Sequence, residues 1–326
     1  MKKKISIIST LIIIYSCSIN TNNNLEQIKT LSTIKQNPED LVSVQRLKNN
    51  LAVLSGNSPF EETIISERGS IEGRRKTREF LSKKLSELGY TIEKHSYRKN
   101  GENIYVKIMA DIPTDEYILV GAHMDSVKNA GANDNGTGST AVLELAYILK
   151  NLKNKKLNII LAWFDEEELG LIGSYEMAKY FKKLNLKINS VHTIDMMGWD
   201  SNKNNLIEIE RPDGDLWEYY QAVNKAHNLN FPLRRTNSGS TDHVAFRENG
   251  FKSVGLCEEW VGGDTTPHYH KKSDTYENIH FNILESGTKL LAAVISDLSL
   301  GVNYPIKSKF IPHDQFPGKD RHFHKF

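Results

Sequence analysis

The stretch NIILAWFDEEELGLIGS, residues 158–174, decides the architecture. Its first seven residues, 158–164, are apolar on both faces of an extended chain, the pattern of a central strand covered by helices on each side. Acids follow at once, Asp165, Glu166, Glu167 and Glu168, and then Gly170 and Gly173 lead into a segment with helical spacing over residues 174–184. A buried strand that ends in carboxylates and turns into a helix is the repeating unit of an α/β sheet. In open sheets of this kind, ligands sit beyond the carboxyl ends of the strands.

The alternation extends in both directions. Helices are predicted over residues 38–53, where Leu41, Val44, Leu47, Leu51 and Leu54 recur at three and four, and over 71–88, closed by Gly89. Strands follow at 91–97, 104–110 and 117–121, then a Gly/Asn-rich loop and a mostly apolar helix over 140–152. Beyond the central stretch come strands at 190–196 and 206–210, a helix at 215–227 and a strand at 253–258. A final helix is expected over 283–300, with Asn282 as N-cap and Glu285 at capping-box spacing. The expected fold class is a single α/β domain, residues 37–304, with a mostly parallel central sheet and helices on both faces.

Five potential metal ligands fall at or near the strand ends. They are His123 in GAHMDSV, Asp134 in GANDNGTG, Glu168 in FDEEELGLIGS, Asp195 in TIDMMGWD and His270 in PHYHKKSDTYENI. Two imidazoles and three carboxylates can hold a pair of Zn2+-like ions if one carboxylate bridges them. Such a pair, about 3.5–4 Å apart, lowers the pKa of a shared water and polarises a carbonyl. The set therefore implies a metal-dependent hydrolase.

Each member also has a local rationale. His123 and Asp125 point the same way on an extended segment, so the aspartate can accept the second imidazole N–H and orient a ligating ring. Asp134 is the candidate bridge, although Asn133-Asp134-Asn135 is also a plain turn sequence. The adjacent Glu167 and Glu168 repel one another unless a cation offsets them. Glu168 is assigned as ligand, Glu167 as general base and then acid, and Glu166 as an exposed third acid. Asp195 lies in an apolar strand, where a carboxylate needs a partner. His270 is chosen over His268 by its spacing to Asp274-Thr275.

In this order the residues resemble those of the dizinc aminopeptidases, relatives of glutamate carboxypeptidase and glutaminyl cyclase, over about residues 70–300. The motifs behind the resemblance are His123-Met124-Asp125, the Gly-flanked Asp134, Glu167-Glu168 before G-x-x-G-S, Asp195-Met196 and His270-x-x-x-Asp274-Thr275. The resemblance implies two Zn2+ ions, one held by His123, Asp134 and Asp195, the other by Asp134, Glu168 and His270. It also implies a cis peptide at Asp134–Asn135. Asp242 and His243, in Ser240-Thr241-Asp242-His243, are implied as near-site support for a transition-state oxyanion. Lys271 and Lys272, where the family has smaller residues, either bias the pocket toward acidic substrates or face solvent.

The leading expectation is an exopeptidase that removes N-terminal residues from peptide substrates. A glutaminyl cyclase-like acyltransferase, a carboxypeptidase and a lipid-anchored binding protein on an inactive enzyme fold remain as alternatives. Glutaminyl cyclase works with one zinc, and the presence of both His123 and Asp195 counts against it.

The ends of the sequence read differently from the middle. Lys2, Lys3 and Lys4 precede an apolar run, Ile5 to Ile14, and then Tyr15, Ser16 and Cys17. This describes a secretory signal over residues 1–16, too short for a span of about 20 apolar residues. Cys17 is the expected lipidation site of an exported protein anchored to a bacterial membrane, with residues 17–36 as a tether. Cys257 is the other cysteine, so no intramolecular disulfide is expected once Cys17 carries lipid. Residues 305–326 form a polar, basic tail broken by prolines. Without the leader's three lysines, 39 Lys and Arg face 40 Asp and Glu; nothing in this balance suggests a nucleic-acid partner.

Overall fold

A computed structural model describes residues 36–305. The leader, Cys17 and nearly all of the tether and tail lie outside the described residues. Residues 37–305 form one compact unit around an eight-stranded sheet of order β1-β2-β4-β3-β5-β8-β6-β7. The strands are β1 (Glu93–Arg98), β2 (Gly101–Ile108), β3 (Glu116–His123), β4 (Asn158–Phe164), β5 (Lys187–Ile194), β6 (Ile207–Glu210), β7 (Leu233–Thr236) and β8 (Ser253–Glu258). The central strands β4, β3, β5 and β8 run parallel, and β6 and β7 pair parallel to each other. Antiparallel pairing joins β1 to β2, β2 to β4 and β6 to β8.

Among the described residues seven helices cover the sheet: α1 (Val44–Leu54), α2 (Ile71–Glu87), α3 (Gly138–Leu149), α4 (Ile172–Lys183), α5 (Leu216–Ala226), α6 (His243–Glu248) and α7 (Phe281–Leu300). Strand β4 shows why two layers are needed. Ile159, Leu161 and Trp163 join a core built with α1, α2, α3, α5 and α7. Ile160, Ala162 and Phe164 pack with Met177 and Phe181 of α4 and Phe246 of α6. A strand with no polar face is stable only between two such layers. No helix of the described residues is long and apolar enough to cross a membrane.

Several boundaries depart from the sequence expectation. The helix expected over 38–53 is a 3-10 turn, Pro38–Leu41, followed by α1. Ser43 interrupts it, its backbone N–H donating to buried Glu144 while its hydroxyl caps Arg46. The expected capping box at Asn282 does not form. His280 is the N-cap, fixed by its own N–H to the Gly198 carbonyl and by its ring Nδ1, which accepts from Asp200. Glu285 instead pairs with Lys289. Gly89 does close α2: at φ 82° it places Tyr90 N–H on the Leu85 carbonyl and its own N–H on that of Ser86. β7 and α6 were not expected.

Candidate metal centre and its surroundings

The carboxyl ends of the parallel strands bring the five candidate ligands together. His123 ends β3, Asp195 follows β5, and the loop after β8 carries His270. His123 Nε2 lies 3.3 Å from Asp134 Oδ1 and 3.3 Å from Asp195 Oδ1. His270 Nε2 lies 3.3 Å from Asp134 Oδ2 and 2.9 Å from Glu168 Oε2. The donors thus fall into two triads, His123/Asp134/Asp195 and Asp134/Glu168/His270, each with its ligand atoms within 4.8 Å of one another. Asp134 belongs to both, offering one oxygen to each. His268 turns elsewhere, to Ser273 and the edge of Trp199.

The bridging position rests on a loop held from several sides. The Asp134–Asn135 peptide is cis. Asp274 accepts the backbone N–H groups of Asn133 and Asp134 at 2.7 and 3.0 Å. Asn135 donates to the Ile194 carbonyl and accepts from Gly138. A Cβ on Gly138 would run into the Asn135 side chain and the Ile194 carbonyl, so the small residue here lets the loop lie on β5.

Behind this loop lies Arg68, fully buried and donating to the carbonyls of Leu54, Met124, Ala130 and Gly131. Burial lowers its pKa, and Asp274, Asp125, Asp134 and Glu168 pull it back up. The sequence reading missed Arg68 and the cradle role of Asp274. It also missed buried Glu258, which accepts from Gly198 N, Trp199 N and Asn133 Nδ2. No local pattern announces these roles, since each partner lies far away in the chain.

Asp125 does more than face His123. Its oxygens accept the backbone N–H groups of Glu167 and Glu168 at 3.1 and 3.2 Å, while Oδ1 is 3.4 Å from His123 Nδ1. Asp125 therefore fixes the glutamate pair through its carboxylate, and it meets the imidazole Nδ1 with its backbone carbonyl, at 3.2 Å, as well as with that carboxylate. Glu168 Oε1 also accepts from Val127 N. Glu167 Oε2 stands 4.0 Å from His123 Nε2.

The expectation that Glu166 is exposed is incorrect. It is 2% exposed and bound by Arg74, Arg98 and the Tyr97 hydroxyl, while its neighbour Asp165 is held by Arg74 and Arg78. Three arginines distant in sequence neutralise the pair, which makes burial tolerable.

Asp242 is buried within the field of His123 and Asp195, and burial raises its pKa to about 7. His243 turns toward Thr241, whose hydroxyl is 2.6 Å from Nδ1 and 3.4 Å from Glu210. It thus belongs to a polar set reaching β6.

The residues fit a pair of divalent cations. Burial raises the pKa of Glu167 well above its usual value, and burial together with Asp134 raises Glu168 to about 7. Burial opposes charge on His123, yet Glu167 and Asp195 hold its pKa well up. His270, also opposed by burial, is raised to about 10 by Asp134 and Glu168. These are the signs of a buried acidic cluster short of positive charge. Mixed imidazole and carboxylate donors suit zinc.

Residues 103–295 match the profile of peptidase family M28. Aminopeptidase YwaD of Bacillus subtilis (strain 168) is 33% identical over 201 residues, covering 59% of this chain and 43% of the relative. The chain thus spans less than half of that relative's length. The structure of BSAP, a zinc aminopeptidase from Bacillus subtilis, superposes with TM-score 0.56 and 28% identity over 60% of this chain and 50% of that one. The LapA aminopeptidase of Legionella pneumophila gives TM-score 0.72 at 21% identity, covering 80% and 73%; at that identity the likeness concerns the fold.

Proposed function

The chain belongs to peptidase family M28, and on that footing we propose that it is a zinc-dependent aminopeptidase using two Zn2+ ions. The observation that carries this reading is the pair of ligand triads sharing Asp134, with Glu167 buried beside them. The names of YwaD and BSAP support it. Bound at these residues, two divalent ions supply Lewis acidity and lower the pKa of an attacking water.

The chain's own groups do the rest. Glu167 accepts the proton of the attacking water and returns it to the departing amine. Asp125, through the backbone N–H groups of Glu167 and Glu168, holds base and ligand in register. Arg68 and Asp274 fix the loop of Asp134.

The test is release of N-terminal amino acids from a panel of aminoacyl peptides and their N-acylated counterparts, before and after chelation. Hydrolysis of free-amine substrates, lost on chelation and restored by zinc, is the expected result. Release of carboxy-terminal residues instead, or cyclisation of N-terminal glutamine, would reassign the activity.

We also propose export and lipid attachment at Cys17. The reading is supported by the basic start Lys2–Lys4, the apolar run to Ile14 and Ser16 before the cysteine. Cys17→Ala should release the protein from membranes or leave its precursor uncleaved. Unchanged membrane association with normal cleavage would refute the anchor.

A further inference from the structure

A cavity of about 520 Å³ opens against the Glu168–His270 side of the candidate centre. Val127, Leu169, Lys128 and Lys272 line it together with those two residues. Lys128 comes from the loop after β3 and Lys272 from the loop after β8. The two loops are pinned to each other by Asn129 Nδ2, which donates to the Lys271 carbonyl at 2.9 Å. This bond sets residues adjacent to both lysines side by side. Val127 N–H, bonded to Glu168 Oε1, ties the first loop to the centre.

Both lysines are exposed, and neither ammonium has an acidic partner among the described residues. The neighbouring Lys271 differs: its Nζ donates to the Pro267 carbonyl. The acids that border the cavity are already engaged. Asp125 is held by two backbone N–H groups and His123, and Glu168 by Val127 and His270. Val127 and Leu169, the latter 53% exposed, offer apolar surface for an aliphatic stem. The cavity thus combines apolar lining with two uncompensated cations, a combination that selects an anionic group carried on a short hydrocarbon chain.

We propose that Lys128 and Lys272 form a substrate subsite for a carboxylate next to the scissile bond. The inference rests on the peptidase reading and adds to it a preference among peptides. Two sources share this chemistry, an acidic side chain following the N-terminal residue and the terminal carboxylate of a short peptide.

The experiment uses the zinc-loaded full-length protein and four substrates that begin with X, the N-terminal residue it hydrolyses fastest. X-Glu-amide against X-Gln-amide reads the side chain, and X-Leu against X-Leu-amide reads the terminus. One charged-to-neutral ratio of kcat/KM should exceed unity by about fivefold or more, the scale of two partly exposed ion pairs. In Lys128→Met/Lys272→Met that ratio should fall to about one. In the double Glu variant it should invert, and in the double Arg variant it should stay above one. Ratios near one in both wild-type pairs, or a ratio unmoved by the double Met variant, overturn the subsite while leaving the peptidase reading intact. If no N-terminal residue X is released from any free-amine peptide, the peptidase reading falls and the subsite with it.

Discussion

Replacing Glu167 by glutamine removes a base while leaving its surroundings almost untouched. The residue is 7% exposed, and its backbone N–H stays on Asp125 Oδ1 at 3.1 Å whichever side chain is present. Its carboxylate lies 4.0 Å from His123 Nε2, longer than the 2.9–3.3 Å imidazole–carboxylate contacts inside the two triads. Glutamine should therefore leave zinc content and substrate binding close to wild type. A positioned acid–base group is worth about 10²–10⁴ in rate, or about 3–5 kcal/mol of transition-state stabilisation. Steady-state kcat should fall by that range, with zinc measured on the same preparation. Glu168→Gln should behave differently. Its carboxylate meets His270 Nε2 at 2.9 Å and Val127 N–H at 3.0 Å, so the loss falls on one ion site and activity should come to depend on added metal. If the two variants exchange these phenotypes, base and ligand are reversed within the pair. If both retain wild-type kcat, the hydrolytic mechanism is wrong.

Other outcomes follow from the surroundings of the centre. Arg68→Met takes the guanidinium from four backbone carbonyls, of which Gly131 keeps the Gly136 N–H, and removes a buried cation from among carboxylates. Urea unfolding should show a loss of about 3–5 kcal/mol, and Arg68→Lys should recover little because one ammonium cannot reach four dispersed carbonyls; a loss under 1 kcal/mol would remove Arg68 from the account. Gly138→Ala forces a methyl group against the Asn135 side chain and the Ile194 carbonyl. It should cost about 1–3 kcal/mol and weaken zinc binding by titration, whereas unchanged affinity would show that the loop tolerates displacement. His227 links Glu39 near the start of the domain to Asp297 in α7, and Asp297 and Glu39, against the cost of burial, raise its pKa to about 10. A raised folded-state pKa stabilises fully below the unfolded value of about 6.5 and is lost as pH rises toward 10. The stability gap between wild type and His227→Gln should therefore be widest near pH 6 and close by pH 10; a gap that widens with pH would contradict the linkage.

The acid run after β4 shows how far local sequence carries the argument. That β4 is central could be read from its own residues, because a strand without a polar face has one stable place in a sheet. The positions of His123, Asp195 and His270 at strand ends followed from the same reasoning. What could not be read is where the charges of residues 165–168 go. Asp165 and Glu166 are matched by Arg74, Arg78 and Arg98, partners between 68 and 92 residues distant that no local window connects to them. Arg68 is equally silent in sequence, since its donors go to carbonyls that any residue could supply. β7, with the polar sequence LRRT and mostly half-buried side chains, gives no alternation to detect. The contrast within the acid run nevertheless has a chemical consequence. Two of its carboxylates are neutralised by arginines, while Glu167 and Glu168 turn toward the imidazoles of His123 and His270 and toward further carboxylates. His123, His270 and Arg68 are three cations set among Asp125, Asp134, Glu167, Glu168, Asp195 and Asp274, so the chain's own positive groups do not balance this buried site. The charge that completes it must come from outside the chain, which is the physical ground for reading this half of the run as a metal ligand and its base, and the other half as structure.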